Sequence, residues 1–229
     1  MTVVQSRQIP LDLGHRTAMG REDFLIAPCN RDAVGWVDRW PGWGSTSIVI
    51  HGPASSGKTH LAAVWKGISE ALVLPAQVLA EQDANDIFMR APHFSVDHLD
   101  PWVGDRTAET TLFHLYNLCR ESGKSILMTM RSAPGQIDFS IPDLASRMRS
   151  LPAVPINLPD ETLLSALLVK LFSDRQIQVG TDVIAYIVPR MERSFKAAHD
   201  LVTRADMLAM SEKKPVTVPL IRRILSDGL

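Results

Sequence analysis

The segment Gly52-Pro53-Ala54-Ser55-Ser56-Gly57-Lys58-Thr59 constrains the fold more than any other stretch of the chain. Its spacing of glycine, four residues and Gly-Lys-Thr is that of a P-loop. The β-branched run Ser47 to Ile50 precedes it, and Leu61, Val64, Trp65 and Ile68 follow on one helical face. A strand–loop–helix order of this kind turns backbone N–H groups toward an anion. The glycines allow phosphate oxygens to come close, and the helix N-terminus adds a favourable field. Lys58 supplies a cation for the β- and γ-phosphates, and the Thr59 hydroxyl is a ligand for Mg²⁺. The expected ligand is a purine nucleoside di- or triphosphate, ADP or ATP, with Mg²⁺. Gly52, Ser55, Ser56, Gly57, Lys58, Thr59 and the adjoining His60 form its phosphate-binding set.

Around this segment, apolar runs alternate with helical patterns. Leu72 to Leu74, Phe94 to Val96, Ser125 to Met130 and Val154 to Leu158 read as further strands, and Ala108 to Glu121 as an amphipathic helix. The alternation predicts a five-stranded parallel sheet covered on both faces. After Pro159 only helical patterns remain. They cover Thr162 to Phe172 with Asp160 as cap, Val183 to Met191 with Thr181 as cap, Ser194 to Met210, and Val218 to Leu225 with Pro219 in its first turn. The expected division is an extended arm over residues 1–22, an α/β core over 23–158 and a helical lid over 159–229.

A P-loop protein needs a second acidic group on a neighbouring strand to hold Mg²⁺, and Asp97 at the end of Phe94-Ser95-Val96 is the candidate. A strand-end aspartate that only caps a helix is the competing reading. His98 stands where ATPases of this type place a water-orienting carboxylate, so the chain is expected to turn over its own ATP slowly. Trp36, Trp40 and Trp43 could stack single-stranded bases. With a net charge of −1, core packing beside the adenine pocket is the better reading. His60 and His98 could suggest a metal pair but have no third ligand at recognisable spacing. Cys29 and Cys119 read as free thiols of a reducing compartment. No apolar run is long enough to span a bilayer, and the first residues lack a signal-peptide pattern, so the cytoplasm is expected.

The P-loop, the Asp97 strand, the fourth strand, an arginine-bearing helix and the lid together resemble an AAA+ ATPase core. Asp23-Phe24-Leu25-Ile26-Ala27-Pro28-Cys29-Asn30 is similar to the stretch that cradles adenine in DnaA proteins, which assigns Phe24, Ile26 and Asn30 to the base. Ile141-Pro142-Asp143-Leu144-Ala145-Ser146-Arg147 strongly resembles the stretch that carries the arginine finger in the Hda family, the DnaA-homologous regulators of replication initiation. By that resemblance Arg147 acts in trans on a neighbour's ATP, and Arg193 contacts phosphate in cis. By local sequence alone Arg147 reads as a surface arginine, and for Arg193 the competing reading is a surface salt bridge with a lid glutamate. Gln8-Ile9-Pro10-Leu11-Asp12-Leu13 resembles the family's sliding-clamp peptide, with Gln8, Leu11 and Leu13 as contacts. The same arm offers a contact for a homodimer.

The family implies two partners, DnaA and the β subunit sliding clamp of DNA polymerase III, with DNA engaged only indirectly and no membrane. Its activity represses re-initiation by promoting hydrolysis of DnaA-bound ATP. Two departures stand out. His98 replaces the family's Asn or Asp, and Met130, in Thr129-Met130-Arg131, occupies a position where an aspartate is expected. Two rivals compete with this reading. One is an autonomous ATPase or P-loop kinase using Arg190, Arg193 and Arg204 in a mobile lid. The other is a different DnaA-paralogue adaptor.

Overall fold

The computed structural model describes Gly20 and residues 24–226. These divide into two units. One runs to Asp160 and includes Ser194–Lys196, and the other takes Glu161–Arg193 and the residues from Ala197 onward.

The first unit is an α/β sheet domain. Helix α1 (Arg31–Arg39) leads into β1 (Ser47–His51), α2 (Lys58–Ser69) and β2 (Leu72–Pro75). Two short helices follow, α3 (Val78–Glu81) and α4 (Ala84–Phe88), then β3 (Phe94–Asp97), α5 (Arg106–Ser122), β4 (Ile126–Met130), α6 (Pro142–Ser150) and β5 (Ala153–Pro155). All five strands are parallel, in the order β2-β3-β4-β1-β5. The central strands are buried on both faces. Ile48, Val49, Ile50, Phe94, Val96, Ile126 and Leu127 are fully enclosed, which is why they read as near-continuous apolar runs rather than alternating ones. The five-stranded parallel α/β core expected from the sequence is present.

Three details differ from the sequence reading. The fifth strand is shorter and earlier than Val154 to Leu158. Ile156 makes the last bond to β1, donating to the His51 carbonyl at 2.7 Å, after which Asn157 donates to the Cys29 carbonyl and Leu158 turns outward. Helix α1 was not foreseen; Gly35 in its middle weakens the helical signal. Of the three tryptophans only Trp43 is buried; it and the half-buried Trp40 pack against α2 and the start of β3, while Trp36 stays half-buried. Trp43 stacks on the fully buried Trp65 at 5.2 Å, and Trp40 meets the edges of Trp65 and His93. Their indole N–H groups donate to the Trp36 carbonyl and the Ser125 hydroxyl.

The second unit is all helical: α7 (Glu161–Asp174), α8 (Thr181–Ile187), α9 (Phe195–Glu212) from Ala197 onward and α10 (Val218–Ser226). Leu164, Leu168, Phe172, Ile187, Leu201 and Ile221 form its core. Arg175 ties α7 to α9 by donating to the Thr203 hydroxyl at 3.0 Å and pairing with Asp206. Burial, and then the Arg175 charge, push the neighbouring His199 below the ordinary histidine pKa. Thr181 is the first helical residue of α8 rather than its cap. Gly180 takes the cap position, without a side-chain bond. No helix among the described residues is long and apolar enough to cross a membrane. Cys29 and Cys119 are free thiols, and burial pushes Cys119 up to about 12.

Candidate functional site

The candidate site lies at the carboxyl ends of β1, β3 and β4, where ligands of open parallel sheets bind. β1 ends at His51, and the loop from Gly52 carries the chain into α2. Gly52 donates its N–H to the Met130 carbonyl at 3.1 Å, which ties the loop to β4. A Cβ at Gly52 would stand 2.4 Å from the Ile156 carbonyl oxygen, a backbone atom that cannot swing away. Gly57 has φ +90, and a Cβ there would strike the Phe24 ring at 2.6 Å. Both glycines of the motif are therefore demanded by the fold as well as by the chemistry.

Lys58 opens α2. Its ammonium donates to the loop's own carbonyls, Gly52 at 2.8 Å and Pro53 at 2.7 Å, and more distantly to the Ser56 hydroxyl. Burial pulls its pKa below the ordinary lysine value. The carboxylates of Asp100 and Asp97 oppose that shift, and Arg131 adds to it. A partly desolvated cation at the mouth of a glycine-bearing loop is a strong attractor for a polyanion. The loop geometry thus fits a chain of phosphates, with Lys58 free to exchange its carbonyl acceptors for phosphate oxygens.

Asp97 is no helix cap. One carboxylate oxygen accepts from the Thr59 hydroxyl at 2.9 Å, the other from the buried Thr129 hydroxyl at 2.6 Å. Thr129 in turn accepts from the His98 N–H at 2.8 Å. Because β4 lies between β3 and β1, Thr129 spans the gap and aims Asp97 at the start of α2. A hydroxyl and a carboxylate in contact at the end of a P-loop are the hard oxygen donors that Mg²⁺ prefers. The residues present fit that ion, with Thr59 as direct ligand and Asp97 beside it.

The other expected residues fall in several places. Phe24 lies against the loop, edge-on to His60 with ring centroids 5.2 Å apart, and His60 Nε2 lies 2.8 Å from the Gly20 carbonyl oxygen. Asn30 is buried and holds its own turn, accepting from the Ala27 N–H and donating to the Leu25 carbonyl. Ile26 is exposed. Ser56 is buried under the loop and Ser55 faces solvent with φ 61. Arg147 stands on the outer face of α6, whose inner face buries Leu144, Ala145 and Met148. Its guanidinium makes no hydrogen bond or ion pair among the described residues, and Arg149 is exposed as well. In the helical unit Arg193 pairs with Glu161 across the exposed surface. Gln8, Leu11 and Leu13 lie outside the described residues. No group of three metal-binding His, Cys, Asp or Glu side chains occurs among the described residues.

Two residues escaped the sequence reading. Asp100 accepts the Arg131 N–H at 2.7 Å and acts electrostatically on Lys58. Glu109 is buried, although it sits on an otherwise ordinary helix. Only a carboxylate three residues past the Asp97 strand hinted at the first, and nothing local marked the second.

Residues 160–225 match the family model for the Hda lid domain. The chain is 25% identical to the chromosomal replication initiator protein DnaA of Thermomicrobium roseum over 233 residues, covering 90% of this chain and 49% of that protein. It therefore spans about half the length of the curated relative it matches. Domain III of the Thermotoga maritima replication initiation protein DnaA superposes with a TM-score of 0.79 at 18% identity, covering 91% of this chain and 96% of that one. AMPPCP-bound DnaA from Aquifex aeolicus gives 0.68 at 19% identity, over 83% of this chain and 65% of that one. The C-terminal helices thus match the Hda lid model, the chain as a whole is similar in sequence to part of DnaA, and its fold is that of DnaA domain III.

Proposed function

We propose that the chain is an Hda-like regulator that holds ADP or ATP with Mg²⁺ in its own P-loop and presents Arg147 to ATP bound by DnaA. The observation that carries this reading is the unengaged Arg147 guanidinium on a rigidly seated helix, in a chain with an Hda-type lid. A solvent-facing arginine with no internal partner is available to a neighbour. A guanidinium also suits the task, since it is always charged and spreads its donors in a plane over developing phosphoryl charge. The bound nucleotide's role is to complete the domain that displays the arginine. Lys58 and the loop N–H groups receive the phosphates, Thr59 and Asp97 hold the metal, and Phe24, Ile26 and Asn30 stand on the base side. That a DnaA structure of the same fold carries AMPPCP supports this assignment.

In this reading the arm, through Gln8, Leu11 and Leu13, attaches the chain to the DNA-loaded sliding clamp, which concentrates Arg147 near its target. The result is ATP hydrolysis on DnaA and repression of re-initiation in the cytoplasm. The test is hydrolysis of DnaA-bound ATP with loaded clamp, with and without this chain. The reading predicts stimulation that requires both clamp and chain. Equal DnaA turnover in both arms would refute it.

A further inference from the structure

Glu109 is 2% exposed, and no cation stands against it among the described residues. A buried carboxylate is costly unless its oxygens are matched by donors. Both are. Oε1 accepts the Gly104 N–H at 2.7 Å and Oε2 accepts the Ile141 N–H at 2.8 Å. The two donors belong to different parts of the chain. Gly104, with φ +90, closes the segment that leaves the Asp97 end of β3 through the Asp100–Trp102 turn. Ile141 is the N-cap residue of α6 and has no side-chain cap of its own. Pro142, next in line, has no N–H. Glu109 therefore caps α6 from another helix, much as a capping-box glutamate reaches back to an N-cap N–H.

The same segment is tied to the P-loop. Asp97 accepts from Thr59, and Asp100, three residues on, acts on Lys58 while holding the Arg131 N–H. The Ser140 hydroxyl adds a second strap to the Gly104 carbonyl at 3.3 Å. One continuous run, residues 97–104, thus has the metal-side carboxylate at one end and the anchor of the Arg147 helix at the other.

We infer that Glu109 is a positioning residue that transmits occupancy of the chain's own P-loop to helix α6 and so sets the presentation of Arg147. The transmission itself concerns only this chain. Its consequence for catalysis rests on the proposed role of Arg147. Ordering of Thr59 and Asp97 around Mg-ADP tightens the run to Gly104, and the two Glu109 hydrogen bonds carry that order into the first turn of α6.

The test uses the full chain and its Glu109→Gln variant, which keeps the side chain's shape but sets an amide N–H₂ against one of the two backbone N–H groups. Thermal melting and Mg-ADP titration first establish that the variant is folded and binds nucleotide within about twofold of the parent. Hydrogen exchange is then followed over residues 141–150 with and without Mg-ADP. In the parent, nucleotide slows exchange in this segment by about tenfold, within the ~5–150-fold range of ordinary couplings. In Glu109→Gln the response falls below about twofold. A parent segment indifferent to nucleotide, or a variant that keeps the full response, overturns the proposal. A variant that fails to fold is replaced by Ser140→Ala, which removes the parallel strap and should reduce the response in part; an undiminished response there also counts against the coupling. In the DnaA assay Glu109→Gln lowers maximal stimulation about tenfold without changing the half-saturating concentration. If Arg147→Ala leaves DnaA turnover unchanged, the functional reading fails while the exchange result stands by itself.

Discussion

The P-loop and the outer face of α6 belong to one domain and are built in opposite ways. At the P-loop every charged group is already engaged: Lys58 on two carbonyls, Asp97 on two hydroxyls, Asp100 on a backbone N–H. On α6, Leu144, Ala145 and Met148 are buried, each large side chain contributing roughly 1.5–3 kcal/mol, while Arg147 extends into solvent with no partner among the described residues. The first arrangement is a closed cradle that needs only an anion and a metal. In the proposed reading the second is the mount for a group that acts on a partner, giving a division of labour with binding in cis and catalysis in trans.

Arg147→Ala strikes the second region alone and has the largest expected effect. DnaA turnover should fall by about 10³–10⁵, as for loss of other trans arginines, with the chain's own nucleotide affinity unchanged. Steady-state hydrolysis against Arg149→Ala as control measures this. If Arg149→Ala is the damaging change, the finger is misplaced by two residues. Lys58→Ala strikes the first region. Calorimetric titration with ADP should show at least about a hundredfold loss of affinity, since the change removes the loop's only side-chain cation. Unchanged affinity would remove the nucleotide site from the account.

In the proposed scheme the arm governs how often both regions meet a partner, so it calibrates them. Surface plasmon resonance against the clamp should show micromolar binding that weakens more than about tenfold in a Gln8→Ala, Leu11→Ala double variant. Equal binding by both proteins would sever the arm from the scheme. The smallest effect belongs to Asp97→Asn. It keeps the hydrogen bond to Thr129 but weakens metal affinity, so the Mg²⁺ concentration needed for ADP binding should rise about tenfold. No change would place the metal elsewhere.

The cis region was far more legible in the sequence than the trans region. Gly52, Gly57, Lys58 and Thr59 announce themselves because the loop's chemistry allows few alternatives, and β1 and α2 flank them with clear periodicity. Asp97 was identifiable because a carboxylate closes an apolar run. Helices α3 and α4, at four and five residues, are too short to display a 3.6-residue period. Arg147 looks like any surface arginine without its family pattern, since exposure carries no local signature. Glu109 was invisible because its partners, Gly104 and Ile141, come together only through tertiary structure.

The division between cis and trans is tested most directly by labelling the two nucleotides separately. DnaA is loaded with ATP carrying one isotope in its γ-phosphate and this chain with ATP carrying another, and phosphate release is followed with clamp and DNA present. The account predicts that the DnaA label is released on addition of the chain, while the chain's own label is retained at well below about one turnover per second. Release of the chain's label at or above that rate, with the DnaA label unmoved, would make the protein an autonomous ATPase and contradict the account.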